Sequence, residues 1–301
     1  MQVKEENGNL TAHNLKCFDL GLTLDCGQAF RWRQVDQNCW RGVAFGKALT
    51  VCQNSDTLIL NDTNREDFES IWRTYFDLDR DYEALCKSFS QDENLKAAVE
   101  AYPGIRLLRQ EPWEALCSFI ISQNNNIPRI KGIIDRLCAN FGEHLGENDY
   151  SFPSPQSLAS LSVEDLAPLR AGFRAKYIID AAQKVASGEV ALENLKDADS
   201  DLARQELMKI KGVGPKVADC ALLYGLGHID IFPVDVWVKR ILQEDYPQGF
   251  PKAANGARGI AQQYLFHWKR SGAGSAPQSS SKQLEITAKQ WQSDSKAIAK
   301  Q

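Results

Sequence analysis

The chain has 301 residues, 43% hydrophobic and 25% charged, proportions that exclude a disordered, fibrous or membrane-spanning protein. Its 35 Lys and Arg against 39 Asp and Glu give a formal charge of −4, which excludes a protein that coats nucleic acid through bulk positive charge. A DNA partner held by one local basic face is still allowed.

The N-terminal MQVKEENGNL has no apolar run, so neither a signal peptide nor a membrane anchor is expected and the protein should be intracellular. The absence of a basic localisation cluster or organelle presequence favours a bacterial cytoplasm over a nucleus. Eight cysteines (Cys17, Cys26, Cys39, Cys52, Cys86, Cys117, Cys138, Cys220) are scattered with no C-x-x-C pair. In a chain this long that spacing predicts reduced thiols, with neither a disulfide scaffold nor a zinc site.

Residues 23–62 read as an antiparallel meander. Ala29 to Val35, Cys39 to Phe45, Ala48 to Cys52 and Thr57 to Leu60 are rich in strand formers and separated by turn residues. Alternation in Phe30-Arg31-Trp32-Arg33 predicts both aromatics on one face and both arginines on the other. From Asn64 the period becomes helical, with Phe68, Ile71, Trp72, Tyr75 and Phe76 on one stripe. Further helices are predicted near 79–89, 92–101, 112–123, 127–141, 163–170, 174–187, 202–210, 215–226, 235–244 and 253–268. Strands followed by a run of helices predict an α+β protein, a small antiparallel sheet packed on a helical body. The expected division is a sheet domain with flanking helices at 1–105, a helical domain at 106–270 and a flexible Gly/Ser/Pro-rich tail at 271–301.

The segment that carries chemistry runs from Glu206 to Cys220. One helix ends at Gly212-Val213-Gly214 and the next starts on Pro215, where a missing N–H costs nothing. This is a helix-hairpin-helix pattern at 202–226. Such a turn leaves N–H groups at a helix N-terminus able to hold a DNA phosphate without reading sequence. A glycine-rich connector with no ligand would read the same at this point.

Lys216 follows in the first turn, where an ammonium opposes the helix dipole. That field, with partial burial, would favour the neutral amine that a nucleophilic lysine needs, although a solvated surface lysine is the commoner case. Beyond Pro233, Asp235 is placed to cap the following helix.

The segments Lys211-Gly212-Val213-Gly214-Pro215-Lys216-Val217-Ala218-Asp219-Cys220 and Pro233-Val234-Asp235-Val236 together resemble the helix-hairpin-helix DNA glycosylase superfamily, and the lysine resembles that of its bifunctional, lyase-active members. Cys26-Gly27-Gln28-Ala29-Phe30-Arg31-Trp32, the run from Ser118 to Asn126, and Gly172-Phe173-Arg174-Ala175-Lys176-Tyr177 resemble the 8-oxoguanine DNA glycosylase branch. The likeness runs in the family's order from about Leu22 to Trp268.

That resemblance implies base excision on damaged double-stranded DNA, by a monomer. Lys216 would form a Schiff base and cut the strand by β-elimination, with Asp235 as the catalytic aspartate. Gly27 would offer its carbonyl to the N7–H found on 8-oxoguanine and absent from guanine. Gln262 and Phe266 would meet the flipped base at its Watson–Crick edge and on its face, with Cys220 on the opposite face. Asn124 would fill the vacated space and Phe173 wedge the duplex, while Arg129 and Arg174 would donate to the orphaned cytosine. Singly, Phe266 and Phe173 would pass for core aromatics, Cys220 for a small buried hydrophobe, Gly27 for a bulge and the Asn run for a polar loop.

Three positions depart from the family pattern: Phe173 where a tyrosine is typical, Trp237 where a histidine is familiar, and Gln123 in place of a serine. Related enzymes with an iron-sulfur cluster carry four cysteines after the hairpin. No cysteine follows Cys220 here, so neither a cluster nor a catalytic metal cofactor is expected. Two other functions fit the same residues, a non-catalytic helix-hairpin-helix module and a glycosylase for another damaged base.

Overall fold

The computed structural model describes residues 1–6 and 8–272. The expected tail lies outside these residues apart from Ser271 and Gly272, which form a turn. Six strands make one antiparallel sheet in the order β1-β2-β6-β5-β4-β3. They are β1 (Gln2–Glu6), β2 (Asn9–His13), β3 (Arg33–Asp36), β4 (Cys39–Ala44), β5 (Lys47–Asn54) and β6 (Thr57–Asn61). The β4–β5 hairpin turns on Phe45 and Gly46, both at positive φ, the backbone twist that two-residue hairpins favour.

The helical part includes α1 (Leu20–Asp25), α2 (Tyr82–Phe89), α3 (Glu93–Ala101), α4 (Pro112–Ser122), α5 (Ile127–Phe141), α6 (Pro155–Ala159), α7 (Ala175–Ala186), α8 (Ser200–Leu207), α9 (Pro215–Tyr224), α10 (Val236–Glu244) and α11 (Arg258–Arg270). The α+β architecture is therefore the expected one. A short hairpin, β7 (His144–Gly146) with β8 (Asp149–Tyr150), forms a separate two-stranded sheet.

Two cores form. Under the sheet, Trp32, Trp72, Tyr75 and Phe76 pack at centroid distances of 5.2–6.5 Å, and the Trp32 indole donates to the Tyr75 hydroxyl at 2.6 Å. The helical core centres on α4, whose residues from Pro112 to Ile121 are all buried.

Four expectations need correction. β1 and β2 were absent from the predicted meander, because QVKEE and NLTAH carry too few strand formers. They are held by cross-strand pairing to each other and to β6. The strand expected from Ala29 begins only at Arg33. Phe30 leaves for the helical core, 5.9 Å from the Phe119 ring, while Trp32 enters the sheet core, so the two aromatics serve different cores. The two arginines do share a side, Arg31 pairing with Glu114 at 2.9 Å and Arg33 with Asp149 at 3.1 Å. The helix near 163–170 is a 3-10 turn at Ala167–Leu169, ended by Arg170 at φ 54°. Finally, Cys39 and Cys52 form a disulfide across β4 and β5, where register sets them directly opposite. Linear spacing could not show that juxtaposition. The other six cysteines are free thiols.

Buried Gln28 fixes the loop after α1. Its Nε2 donates to Thr23 O and Arg106 O at 2.8 Å, its Oε1 accepts from Leu108 N at 2.9 Å, and its own carbonyl accepts from Gln110 Nε2 at 2.8 Å. Gly27, at φ +89°, is thereby pinned against the 106–110 strap.

Candidate active site

The hairpin forms as its sequence requires. Gly212 adopts φ +80°, and a Cβ there would lie 2.4 Å from the Tyr177 ring. Only glycine meets both demands. Gly214 is the N-cap of α9 at φ −97°, and the space around it is open. Val213 between them is buried and donates its N–H to Ile210 O at 3.0 Å.

Lys216 is half-buried on the first turn of α9, its Nζ 5.7 Å from the centre of the Phe119 ring. Phe119 in turn stacks on Tyr224 at 5.0 Å and 15°. Cys220, one turn further, is buried. Burial raises its thiol pKa, Lys216 draws it down and Asp235 pushes it up, for a net value of about 12. The three side chains thus form one electrostatic cluster, in which Cys220 stays a neutral thiol. Asp235 caps α10, with Oδ1 accepting from Val238 N at 2.8 Å, and its other oxygen has no partner among the described residues.

α11 closes another side. Buried Gln262 donates through Nε2 to Pro233 O at 2.6 Å, two residues before Asp235, while its Oε1 is buried without a partner among the described residues. Gln263 accepts from the Tyr224 hydroxyl at 2.8 Å and donates to Cys26 Sγ at 3.2 Å. Burial raises the thiol pKa of Cys26, opposed first by Gln263. This chain of contacts ties the Cys26–Gly27 loop to both α9 and α11. Phe266 is half-buried on the last turns of α11, its ring 5.4 Å from the Arg270 guanidinium carbon.

A second group lies around the start of α5. Asn124 is exposed at φ +46°, Asn126 caps α5 by accepting from Arg129 N at 3.0 Å, and Arg129 is exposed. Phe173 is 46% exposed, a surface ring rather than a core one. Arg174 is buried in the free protein, and its guanidinium donates to the carbonyls of Gln123, Asn124 and Ala171. It holds the Asn loop in shape, whereas the sequence suggested a free donor. The charge of Arg129 helps lower the Arg174 pKa, second to burial, so the two guanidiniums are neighbours.

The cations around this face differ in their pairing. Lys184, Arg204, Lys209 and Lys269 each pair with a carboxylate. Arg129, Lys176, Lys211, Lys216, Lys239 and Arg240 make no ion pair among the described residues. Cations left unpaired around an exposed wedge and an open helix N-terminus suit a polyanion. The described residues hold no cluster of three or more His, Cys, Asp or Glu arranged as metal ligands.

Phe119, Tyr224, Gln263 and Arg270 escaped the sequence reading. The first three sit in apolar helical patterns that read as core, and a basic residue in a last helical turn reads as dipole compensation.

Comparison with known proteins gives a consistent picture. The family model for the 8-oxoguanine DNA glycosylase N-terminal domain matches residues 10–116, and that for the HhH-GPD superfamily of base excision DNA repair proteins matches residues 117–252. The N-glycosylase/DNA lyase of Saccharomyces cerevisiae is 40% identical over 255 residues, covering 75% of this chain and 68% of that protein. The structure of MBOgg1 with a low-affinity DNA ligand superposes with a TM-score of 0.85 at 43% identity, covering 90% of this chain and 99% of the other. The Clostridium acetobutylicum 8-oxoguanine glycosylase/lyase, bound to duplex DNA with cytosine opposite 8-oxoguanine, gives 0.85 at 37% identity, covering 91% and 99%.

Proposed function

Because the chain belongs to the 8-oxoguanine DNA glycosylase family, we propose that it excises 8-oxoguanine opposite cytosine through Lys216 as nucleophile and then cuts the strand. The chain is an N-glycosylase/DNA lyase of base excision repair. The assignment of roles to residues is our reading of the site.

A base inside a duplex is out of reach, so the nucleotide must be extruded and the lost stacking offset by new contacts. Phe173 would wedge the opened step and Asn124 occupy the gap. Arg129 would donate to the O2 and N3 acceptors of the widowed cytosine, joined by Arg174 once DNA displaces its backbone partners. In the Gly212-Val213-Gly214 hairpin the glycines would offer backbone N–H groups to a phosphate, while Val213, whose N–H is bonded to Ile210 O, would anchor the turn in the core.

The extruded base would lie between Phe266 and Cys220. Gln262 would turn its unpartnered Oε1 toward purine N–H donors, and Gly27 would offer its carbonyl to N7–H. Breaking the N-glycosidic bond builds positive charge on the sugar, which the open oxygen of Asp235 would stabilise. The Lys216 amine then bonds to C1′ as the base departs; breaking C1′–O4′, with a proton passing from the amine to O4′, opens the sugar to an imine, and loss of an acidified C2′ proton expels the 3′ phosphate as the C3′–O bond breaks. Every group belongs to one chain, so a monomer suffices. In this reading residues 1–105 supply Gly27 and residues 106–270 supply the remainder.

The observation that carries the proposal is Lys216 itself, half-buried with its Nζ over the Phe119 ring and without an ion pair among the described residues, beside a Cys220 thiol on which its charge and that of Asp235 both act. A phosphate clamp without chemistry would need neither the burial nor the carboxylate. A duplex holding one 8-oxoguanine opposite cytosine should be cut at the lesion. An intact strand after prolonged incubation would favour the non-catalytic module, and cutting only at other lesions in a panel would favour a different base.

A further inference from the structure

Arg270, at the end of α11, has no role in the scheme above. Its guanidinium carbon lies 5.4 Å from the Phe266 ring centre, and its Nη1 lies 3.3 Å from where a Cβ on Gly27 would sit. The group therefore occupies the space that Gly27 leaves free, between the loop after α1 and the aromatic of α11. The positive φ is what calls for glycine there, and the guanidinium tip sits close beside it.

A guanidinium carries five N–H donors. Among the described residues that of Arg270 makes one hydrogen bond, a long one of 3.4 Å from Nη2 to Asp25 O, and that bond is exposed. It has no ion pair among the described residues, although Lys269 beside it is paired with Asp245 at 2.9 Å. Its charge reaches two neighbours: burial raises the pKa of the Cys26 thiol, opposed by Gln263 and then by Arg270, and burial followed by Arg270 lowers that of the His267 ring. A cation with spare donors beside a backbone acceptor is complementary to an N–H flanked by a carbonyl oxygen. The oxidised five-membered ring of 8-oxoguanine presents that pair at N7–H and C8=O, whereas guanine presents an acceptor and a C–H.

We propose that Arg270 is a specificity-determining residue of the base pocket, donating to a carbonyl oxygen of the extruded purine beside the Gly27 carbonyl. This rests on the base-excision reading above. Its signature is a split between the two activities, because strand cutting at a site that has already lost its base cannot use a base contact.

Single-turnover excision from an 8-oxoguanine:cytosine duplex and cutting of a preformed abasic-site duplex should be measured for the wild type, Arg270→Met and Arg270→Lys. Loss of a charge-assisted hydrogen bond slows Arg270→Met excision roughly tenfold to 100-fold, with abasic-site cutting within about twofold of wild type by the absence of a base to contact. Arg270→Lys recovers part of the loss. Unchanged excision in Arg270→Met, or an equal fall in both activities, would overturn the assignment. A wild type that cuts abasic sites but excises no 8-oxoguanine would overturn the base-excision reading itself, and this assignment with it.

Discussion

The two oxygens of Asp235 do different work. Oδ1 accepts from Val238 N and caps α10, and the other has no partner among the described residues, while the carboxylate's charge acts on the Cys220 thiol. Asparagine caps a helix about as well as aspartate and lacks the charge. Asp235→Asn should therefore melt close to the wild type and bind lesion DNA, yet excise at least about 100-fold more slowly. Asp235→Ala should in addition lose roughly 1 kcal/mol of stability. Equal excision by wild type and Asp235→Asn in single-turnover assays would leave Asp235 a cap alone. At this scale the sequence was informative where a residue is odd for its place, as with a lysine at a helix N-terminus. Arg174 shows the opposite case. Its residue type suggests a surface donor, but it is spent on the carbonyls of the loop it supports, and nothing in a linear string reports which carbonyls need a donor.

Within the hairpin the two glycines are not interchangeable. A methyl on Gly212 meets the Tyr177 ring at 2.4 Å on a backbone at φ +80°, while one on Gly214 meets nothing within 4 Å. Gly212→Ala should lower the melting temperature, at a cost of roughly 1–3 kcal/mol from strain. Gly214→Ala should melt within about 0.5 kcal/mol of wild type and still bind DNA more weakly, because the new methyl points into the space a phosphate would enter. Thermal melts and DNA titrations of the two variants check this directly; equal losses of stability would contradict it. The Pro215 start and the glycine stop made this element readable. The failures at 163–170 and at β1–β2 have another cause, because a left-handed Arg170 and a strand held by its neighbours depend on tertiary contacts that local propensity does not contain.

Across the molecule, an acidic chain carries a local excess of positive charge in one region. Residues 207–240 hold Lys209, Lys211, Lys216, Lys239 and Arg240 against Asp219, Asp230 and Asp235, and two of those carboxylates are turned toward Arg204 and Arg258. Few phosphates need be neutralised, so log K against log salt should be shallow. A slope equivalent to about six or more released counterions would contradict that. The sheet-plus-helices architecture was legible because period and composition change at Asn64. The meeting of Gly27, Lys216, Asp235 and α11 was not, since Gln28 and Gln263 join segments far apart in sequence.

The central claim is that Lys216 becomes covalently bonded to the sugar it attacks. Borohydride added during turnover of an 8-oxoguanine:cytosine duplex reduces any imine to a stable amine. The account predicts a protein–DNA adduct that maps to Lys216 and disappears in Lys216→Gln. An adduct that persists in Lys216→Gln, or strand cutting by the wild type with no trapped adduct, would contradict it.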